Sequence, residues 1–417
     1  MLKKVKGFRD IFGDDIAYWH MVESKIQSYF KSYGFKEFRL PILEKTSVYK
    51  RGIGETTDIV EKEMFTFTDS DELVSLRPEG TASLMRAYIE NSLSNPPGVK
   101  KYYYIGNMFR RERPQKGRFR QFSQAGVEVL ECDSPLLDAE IINLLYNTAI
   151  ILGLKEHVKM EINSIGCNSC RPNYKTDLVN YFSGHLDDLC DDCKRRINTN
   201  PLRILDCKVE KCKSIALNAP VILSYLCDDC NNHFESGKEY LNIMDIPYTI
   251  NSKMVRGLDY YIRTAFELVT DKLGAASAVG AGGRYDGLIK SLGGKDTAGI
   301  GFAIGLDRVC ELLKETSPIT QQGADVFVLI FSKDDLHTGL NIVNQLRGAN
   351  FIAEYDYNLS SMKSQMKKAD KSNAKFAVIL GSNELAENKA TIKDLISGEQ
   401  VLLELDNVFE YLKNKLI

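Results

Sequence analysis

Arginines dominate one short segment of the chain, Phe109–Phe122. Between Arg110 and Arg120 there are five arginines and one lysine against one glutamate, a local charge of +5, and phenylalanines lie among them. A guanidinium group can bind a phosphate through two hydrogen bonds, and an aromatic face can stack on a base. The segment therefore indicates contact with a nucleotide or RNA, or else a solvated basic hairpin tip whose aromatic residues lie in the core.

Two further arginines lie beside glycines in separate apolar surroundings. Arg256 opens Arg256–Tyr261, and Arg308 follows the glycine-rich run Gly299–Gly305, where a helix is expected to begin. Buried charges are costly without ionic partners, and a triphosphate would supply them. Either arginine alone fits a surface ion pair, but both together with the basic segment favour an anionic ligand. Three carboxylates are candidates for holding an ammonium group, an imidazole or Mg²⁺ nearby: Glu79, Glu128 and Asp259.

Cysteines form a third group of candidate ligands. Eight of the ten lie between residues 166 and 233. Two C-x₂-C pairs have the spacing of a four-thiolate zinc site, and these are Cys167, Cys170, Cys190 and Cys193. A second set could form from Cys207, Cys212, Cys227 and Cys230, with His233 as a spare ligand. We predict a structural metal that folds this segment, with free thiols as the alternative.

Composition and missing motifs exclude several classes of protein. The chain has 417 residues, a formal charge of −2, 44% hydrophobic and 26% charged residues, as an ordinary globular protein of roughly two to four domains does. Without an apolar run of ~18 residues or a secretion-signal pattern, we expect a cytoplasmic protein and no membrane contact. The absence of G-x-x-x-x-G-K-[ST], G-x-S-x-G and H-E-x-x-H argues against P-loop nucleotide-binding proteins, serine hydrolases and zinc proteases.

Periodicity predicts the elements that must position these residues. Aromatic and β-branched residues predict strands at Tyr102–Arg110 and Gln121–Glu131, joined by the loop Arg111–Gly117. Helical spacing of apolar residues predicts a helix over Asp138–Leu154. After the linker Ser317–Gly323, a βαβαβ alternation predicts a separate α/β domain. Its strands and helices are predicted at Asp325–Phe331, Asp335–Leu346, Phe351–Asp356, Ser361–Lys371 and Phe376–Gly381.

Taken together, the motifs resemble those of the histidyl-tRNA synthetases, a family of class II aminoacyl-tRNA synthetases, over essentially the whole chain. The residues that carry the resemblance are Lys6–Asp10, Leu76–Thr81, Phe109–Glu128, Arg256–Tyr261, Gly282–Asp286 and Gly301–Arg308. The resemblance implies an α+β protein with a class II antiparallel-sheet catalytic domain over residues 1–320. It further implies a Cys-rich insertion at about 166–245 and a C-terminal α/β anticodon-binding domain over 324–417.

The same resemblance implies an activity. The expected reaction is ATP-dependent ligation of L-histidine to tRNA(His) through histidyl-adenylate, with ATP as substrate, Mg²⁺ on its phosphates and a homodimer as the assembly. The alternatives are a catalytically silent relative that regulates another enzyme or senses tRNA, another class II synthetase, and a zinc-dependent RNA-binding protein. The last would leave Arg256 and Arg308 without a purpose.

Residue roles also follow from the resemblance. Arg110 is expected on the α-phosphate with Arg256 opposite it, Arg308 on the γ-phosphate, and Glu112 with Phe122 on the adenine. Histidine is expected to be bound by Glu79, Gly80, Thr81, Gln124, Glu128, Arg256, Tyr260, Tyr261 and Tyr285. Because Tyr260 and Tyr261 are expected to alternate along a strand, only one of them need face the ligand.

Contacts with tRNA are expected in two parts of the chain, one in each predicted domain. Arg113, Gln115 and Arg118 are expected to guide the acceptor end of tRNA, by the same resemblance. Lys363, Lys367 and Lys371 fall at helical spacing and could touch tRNA phosphates or form a solvated helix face.

Overall fold

A computed structural model describes residues 2–55, 57–115, 117–274, 278–318 and 323–416. The chain divides into two units, Met1–Ile319 and Thr320–Ile417. The first unit contains α1 (Asp14–Ser32), β1 (Lys36–Glu37), β2 (Leu43–Lys45), α2 (Thr46–Ile53), β3 (Phe65–Asp69), β4 (Glu72–Leu76), α3 (Thr81–Glu90), β5 (Lys100–Phe109), β6 (Gln121–Leu130), α4 (Pro135–Ile151), β7 (Lys159–Ser164), α5 (Arg171–Ser183), α6 (Asp191–Thr199), α7 (Glu210–Ala216), α8 (Asp228–Ile243), β8 (Thr249–Ile250), β9 (Ile262–Val269), β10 (Ala278–Arg284), α9 (Leu288–Ser291), β11 (Gly299–Gly305) and α10 (Leu306–Thr316). The second contains β12 (Val326–Ile330), α11 (Leu336–Gly348), β13 (Ala353–Tyr355), α12 (Met362–Lys371), β14 (Phe376–Leu380), α13 (Ser382–Ala386), β15 (Lys389–Asp394), β16 (Gln400–Glu404) and α14 (Leu405–Leu416).

The first unit is built on an eight-stranded sheet that is mixed but mainly antiparallel. Its strand order in the described chain is β1-β5-β6-β11-β10-β9-β7-β8, with parallel pairing only at the two edges. Strands β5 and β6 are the two that aromatic and β-branched residues predicted, and they pair antiparallel over their whole length. This arrangement confirms the predicted antiparallel-sheet α+β fold.

Alternation along β6 separates the core from the site. Ala125, Val127 and Val129 are buried in the core that α1, α4 and α10 form on one face of the sheet. Successive side chains of a strand point to opposite faces, so Gln124 and Glu128 lie on the other face. The sheet therefore carries its polar residues on the face that α3 and the loop before β9 cover.

The long helix α4 begins and ends three residues earlier than periodicity predicted. Ser134 caps it, because its side chain accepts a hydrogen bond from Leu136 N at 3.3 Å, and Pro135 occupies the first turn. Proline needs no donor there and favours helix initiation. Local capping chemistry thus overrides the apolar period at the ends of the helix.

The Cys-rich segment folds as a helical insertion between β7 and β8. It contains α5 to α8 and the short helical turns Leu186–Asp188, Pro201–Ile204 and Ile222–Tyr225. Its own apolar cluster includes Tyr174, Leu178 and Phe182 together with five buried cysteines. The insertion therefore has a small core distinct from that beneath the sheet.

The second unit has a five-stranded sheet of order β13-β12-β14-β15-β16. Strands β13, β12 and β14 are parallel, while β15 and β16 add an antiparallel edge that periodicity did not predict. Helices α11 and α12 connect the parallel strands, as the predicted alternation requires. No described helix of either unit is both long enough and apolar enough to cross a membrane.

Candidate active site

One cavity of about 220 Å³ gathers most of the predicted site residues of the first unit. It lies on the polar face of the sheet, between α3, the β5–β6 hairpin, the loop before β9 and the start of α10. The predicted residues that line it are Glu79, Thr81, Arg110, Glu112, Arg118, Phe122, Gln124, Arg256, Tyr260, Tyr261 and Arg308. Residues from four separate parts of the sequence thus meet around one space.

Guanidinium groups crowd one end of this cavity. The Nε–H group of Arg110 donates a hydrogen bond to the carbonyl of Pro78 at 2.9 Å, and its Cζ lies 5.3 Å from the ring centre of Phe122. Arg308 donates to the carbonyls of Gly117 and Ala278, so neutral groups hold it in place. Burial, reinforced by the nearby charges of Arg118 and Arg110, lowers the pKa of Arg308 to about 10. An anionic ligand would relieve this crowding of positive charge.

Arg256 also lines the cavity and lies in the loop before β9. Its Nη1 pairs with Glu267 at 2.5 Å, and its guanidinium lies 4.7 Å from the ring centre of Tyr261. Among the described residues its Nε is buried and has no hydrogen-bond partner. The ion pair and the ring thus fix the plane of the guanidinium, and its Nε–H group stays available to donate a hydrogen bond to a ligand.

Carboxylates and hydroxyls form the other end of the cavity. Glu79 accepts hydrogen bonds from the backbone N–H groups of Thr81 at 2.6 Å and Ala82 at 2.9 Å, at the beginning of α3. These donors and the helix dipole favour the charged form, whereas burial dominates and raises its pKa. Gln124 lines the same end, and its Oε1 has no partner in the described part of the chain.

Glu128 lies directly behind this end. It accepts a hydrogen bond from Thr81 Oγ1 at 2.6 Å and another from the hydroxyl of Tyr285. Burial raises its pKa to about 8, and the nearby Glu79 adds to the shift. Glu128 and Tyr285 thus hold the residues that face the cavity, and Gly80 lies beside them rather than in the lining.

Sequence analysis missed Tyr104, which lines the cavity between its two ends. Its buried ring is sandwiched between Gly80 and Gly126, where a Cβ atom would lie 2.3 Å from Tyr104 Cζ in each case. The register of β5 and β6 places Tyr104 opposite Gly126. The run of three tyrosines at 102–104 gave no means to single out this one.

Two expectations about this region are wrong. Tyr260 and Tyr261 do not alternate along a strand, because β9 begins only at Ile262 and Arg171 bonds the Tyr261 carbonyl in place of a neighbouring strand. Their rings pack with centres 4.7 Å apart, and both line the cavity. Asp259 lies apart, against Gly54 and near Lys175, so it does not join Glu79 and Glu128.

The loop between β5 and β6 divides the three residues predicted to guide tRNA. Arg113 and Gln115 are exposed. Arg118 instead turns into the cavity, where it pairs with Glu112 at 3.2 Å. The loop therefore offers surface groups at its tip and a cation at its base.

Comparisons with known proteins place this geometry in a family. A family profile described as Histidyl-tRNA synthetase matches residues 7–167 and 220–309, and one described as Anticodon binding domain matches residues 325–415. The histidine–tRNA ligase of Syntrophotalea carbinolica is 45% identical over 99% of this chain and 98% of its own length. That of Geobacter sulfurreducens is 47% identical over 97% and 98%.

The chain belongs to the histidyl-tRNA synthetase family. Among solved structures, that of apo S. aureus histidyl-tRNA synthetase superposes with a TM-score of 0.82 at 35% identity, covering 99% of this chain and all of the other. The family profile leaves out residues 168–219, which form most of the Cys-rich insertion. Family membership therefore accounts for the cavity but gives no account of the cysteines.

The structure corrects the predicted cysteine sets. Cys167 and Cys170 lie with Cys227 and Cys230, whereas Cys190 and Cys193 lie with Cys207 and Cys212. The reason is helix packing: Tyr225 contacts the ring of Tyr174 on α5 and donates to Asp177 at 2.7 Å, which brings the following Cys227 to the start of α5.

His233 is not the spare ligand that the spacing suggested. Its Nε2 lies 2.7 Å from a carboxylate oxygen of Asp138 on α4, away from both cysteine sets. Arg284 and Thr264 bond the same carboxylate. His233 thus belongs to a buried polar network that joins α8 to the sheet.

Proposed function

We propose that this chain attaches L-histidine to tRNA(His) in two steps, by way of histidyl-adenylate. One observation carries the proposal: one cavity is lined by four arginines and also by the buried carboxylate of Glu79 and by tyrosines. ATP needs cations for its phosphates, while the ammonium and imidazole groups of histidine need acceptors. The two ends of the cavity match these two needs.

Adenylate formation would use the arginines as electrostatic groups. An oxygen of the histidine carboxylate attacks the α-phosphorus of ATP, and the bond to pyrophosphate breaks. We assign Arg110 and Arg256 to opposite sides of the α-phosphate and Arg308 to the γ-phosphate, with Glu112 and Phe122 at the adenine. Fixed guanidinium groups stabilise charge that builds up in the transition state. The step then needs no protein nucleophile.

Histidine selection would rest on the carboxylate end. Glu79 is buried, lines this end of the cavity and is held by backbone donors. We assign it to the ammonium group, with Gln124 and Thr81 beside it. Glu128, Gly80 and Tyr285 support this wall, and Tyr260 and Tyr261 close it. Analogues without matching donors would leave these acceptors unpaired, which disfavours their binding.

Mg²⁺ is implied with ATP, and the residues allow it. Both oxygens of Glu79 and of Glu128 already accept hydrogen bonds. Glu112 and Glu267 each pair with one arginine through one oxygen, and Glu267 lines the neighbouring cleft with Arg110 and Arg118. Hard oxygen ligands suit Mg²⁺, so Glu267, whose partner Arg256 is assigned to the α-phosphate, would hold it beside the phosphates, where it neutralises charge, while Glu112 stays at the adenine.

In the second step a terminal ribose hydroxyl of tRNA attacks the activated carbonyl and releases AMP. We assign guidance of the acceptor end to Arg113, Gln115 and Arg118, and anticodon binding to residues 324–417. The homodimer implied by the resemblance and the cytoplasmic location expected from the sequence pattern stay predictions. The catalytic unit is proposed to span residues 1–320.

ATP–pyrophosphate exchange with each of the twenty amino acids tests the proposal. We expect exchange with histidine only, and a reduction of roughly 10²-fold or more in Arg256→Ala, because a fixed charge at the transition state is lost. Arg39→Ala is a matched control, since Arg39 is 87% exposed and lies outside the cavity.

Exchange with a different amino acid would overturn the substrate assignment. No exchange with any amino acid, in a protein that still binds tRNA, would favour the silent relative over the enzyme.

A further inference from the structure

We propose that the helical insertion binds two zinc ions in two nested four-thiolate sites. Cys167, Cys170, Cys227 and Cys230 form the outer site, and Cys190, Cys193, Cys207 and Cys212 form the inner site. The family profile leaves out most of this segment, and the reaction proposed above does not use it.

Sulfur–sulfur distances fit a single tetrahedral ion. In the outer site Cys167 Sγ lies 3.6 Å from Cys170 Sγ and 3.9 Å from Cys227 Sγ. In the inner site Cys190 Sγ lies 3.9 Å from Cys207 Sγ. A tetrahedron with Zn–S bonds of ~2.3 Å has edges of about 3.8 Å, whereas a disulfide requires about 2.05 Å. In each set all four sulfurs lie within 4.8 Å of one another.

The backbone around the outer site is shaped for the thiolates. Gly166 has a φ of +64°, and a Cβ there would lie 2.7 Å from Cys170 Cβ, so a side chain would displace the ligand. Backbone N–H groups of Ser169 and Cys227 donate to Cys167 Sγ at 3.4 Å and Cys170 Sγ at 3.2 Å. Such donors stabilise negative charge on sulfur.

The inner site repeats this pattern. The N–H of Cys190 donates to Cys212 Sγ at 3.2 Å, and Cys190 precedes the first turn of α6 as Cys227 precedes that of α8. In both sites a cysteine three residues later lies buried in the first turn of the helix. Thiolates at a helix N-terminus are favoured by its dipole.

Four thiolates select the metal. Sulfur ligands in a tetrahedron favour Zn²⁺, and hard cations such as Mg²⁺ are disfavoured. All four ligand positions are protein thiolates, so each site is closed and structural rather than catalytic. The small core of the insertion would then take much of its stability from the metal.

The outer site is also connected to the active-site cavity by hydrogen bonds. Arg171, which follows Cys170, donates to the carbonyls of Ile165 at 3.2 Å and of Tyr261. The metal would fix the first turn of α5 and through it the loop that carries Arg256 and Tyr261. This consequence, unlike the metal sites themselves, rests on the proposed function.

Metal counting on the full chain, purified without chelator, tests the proposal. We expect two zinc ions per chain by plasma mass spectrometry. Cys132→Ser and Cys310→Ser are matched controls that should keep both ions, because neither cysteine belongs to a set. Zinc-free protein whose eight insertion thiols all react under native conditions would overturn the proposal. The count needs no substrate, so an enzyme inactive in exchange can still pass it.

Two double variants test the nested pairing. Cys167→Ser with Cys227→Ser damages only the outer site and should keep one zinc per chain. Cys167→Ser with Cys190→Ser damages both sites and should keep none. The reverse pattern would support the sets read from spacing and overturn the nested ones.

A measurement on the unsubstituted chain covers the case in which a double variant does not fold. During stepwise zinc removal, alkylation should appear first on all four cysteines of either the outer or the inner site. Labelling that instead follows Cys167, Cys170, Cys190 and Cys193 together would contradict the assignment.

Discussion

At the scale of single residues, the site depends on buried groups whose charge the surroundings control. Glu79 and Glu128 lie close enough to raise each other's cost of ionisation, and burial raises the pKa of both. Thr81 links them, since its N–H donates to Glu79 and its hydroxyl to Glu128. The two backbone donors favour the ionised form of Glu79, so Glu79 is the carboxylate that can meet an ammonium group.

A pH-dependent stability follows from Glu128. Its pKa is about 8 in the folded chain and near 4.5 when exposed, so the folded chain binds the proton more tightly. Its contribution is therefore fully present below about pH 4.5 and is lost as the pH rises through about 8. We expect Glu128→Gln to gain stability relative to the unsubstituted chain across that window, by at most about 1.4 kcal/mol per pH unit.

Urea denaturation at several pH values checks this expectation, with Glu72→Gln as an exposed control. Denaturation curves whose separation does not change with pH would contradict the raised pKa.

At the scale of elements, glycine residues allow strands β6 and β11 to pair closely around the carboxylate of Glu128. Gly301 pairs with Glu128 across these strands, and a Cβ at Gly301 would lie 2.1 Å from Glu128 Oε2 and 2.3 Å from the Val127 carbonyl. The glycine-rich run Gly299–Gly305 thus makes room for the carboxylate of Glu128 behind the cavity.

Substitution of Gly301 by alanine should push these strands apart. We expect Gly301→Ala to lower the free energy of unfolding by about 2–4 kcal/mol, since backbone as well as side chain must move. Gly237→Ala is a matched control: Gly237 lies within α8 with nothing within 4 Å of an added Cβ, so alanine should be neutral or stabilise by up to about 1 kcal/mol. Equal effects of the two substitutions in thermal denaturation would contradict this account.

At the scale of the whole molecule, the proposed reaction assigns amino acid activation to the first unit and part of tRNA binding to the second. On α12, Lys363, Lys367 and Lys371 are exposed, while Gln365 and Ala369 face the core of that unit. The three lysines therefore form a basic face, as helical spacing predicted, and their contact with tRNA stays a prediction.

Replacing all three lysines with glutamine tests that contact. We expect the KM for tRNA to rise several-fold and its dependence on salt to weaken, because fewer counterions are released from the phosphates. Histidine-dependent ATP–pyrophosphate exchange, which needs no tRNA, should stay unchanged and serves as the control. An unchanged KM for tRNA at every salt concentration would show that this face is merely solvated.

Sequence patterns were sufficient for features that depend on near neighbours. Aromatic and β-branched residues located β5 and β6, and helical spacing located α4 to within three residues at each end. The arginines of separate motifs were recognisable because a cation beside glycine in apolar surroundings needs a partner. These patterns also predicted the α/β order of the second unit, though not its antiparallel edge strands β15 and β16.

Only the tertiary structure decided which distant groups meet. Spacing identified each C-x₂-C pair, since a tight turn brings residues three apart together, but helix packing in the insertion joined the first pair to the last. The same applies to Tyr104, selected from three tyrosines by its place opposite Gly126, and to Glu267, which reaches Arg256 from β9. Residue type and spacing determine local chemistry, whereas the partner of a buried group depends on the path of the whole chain.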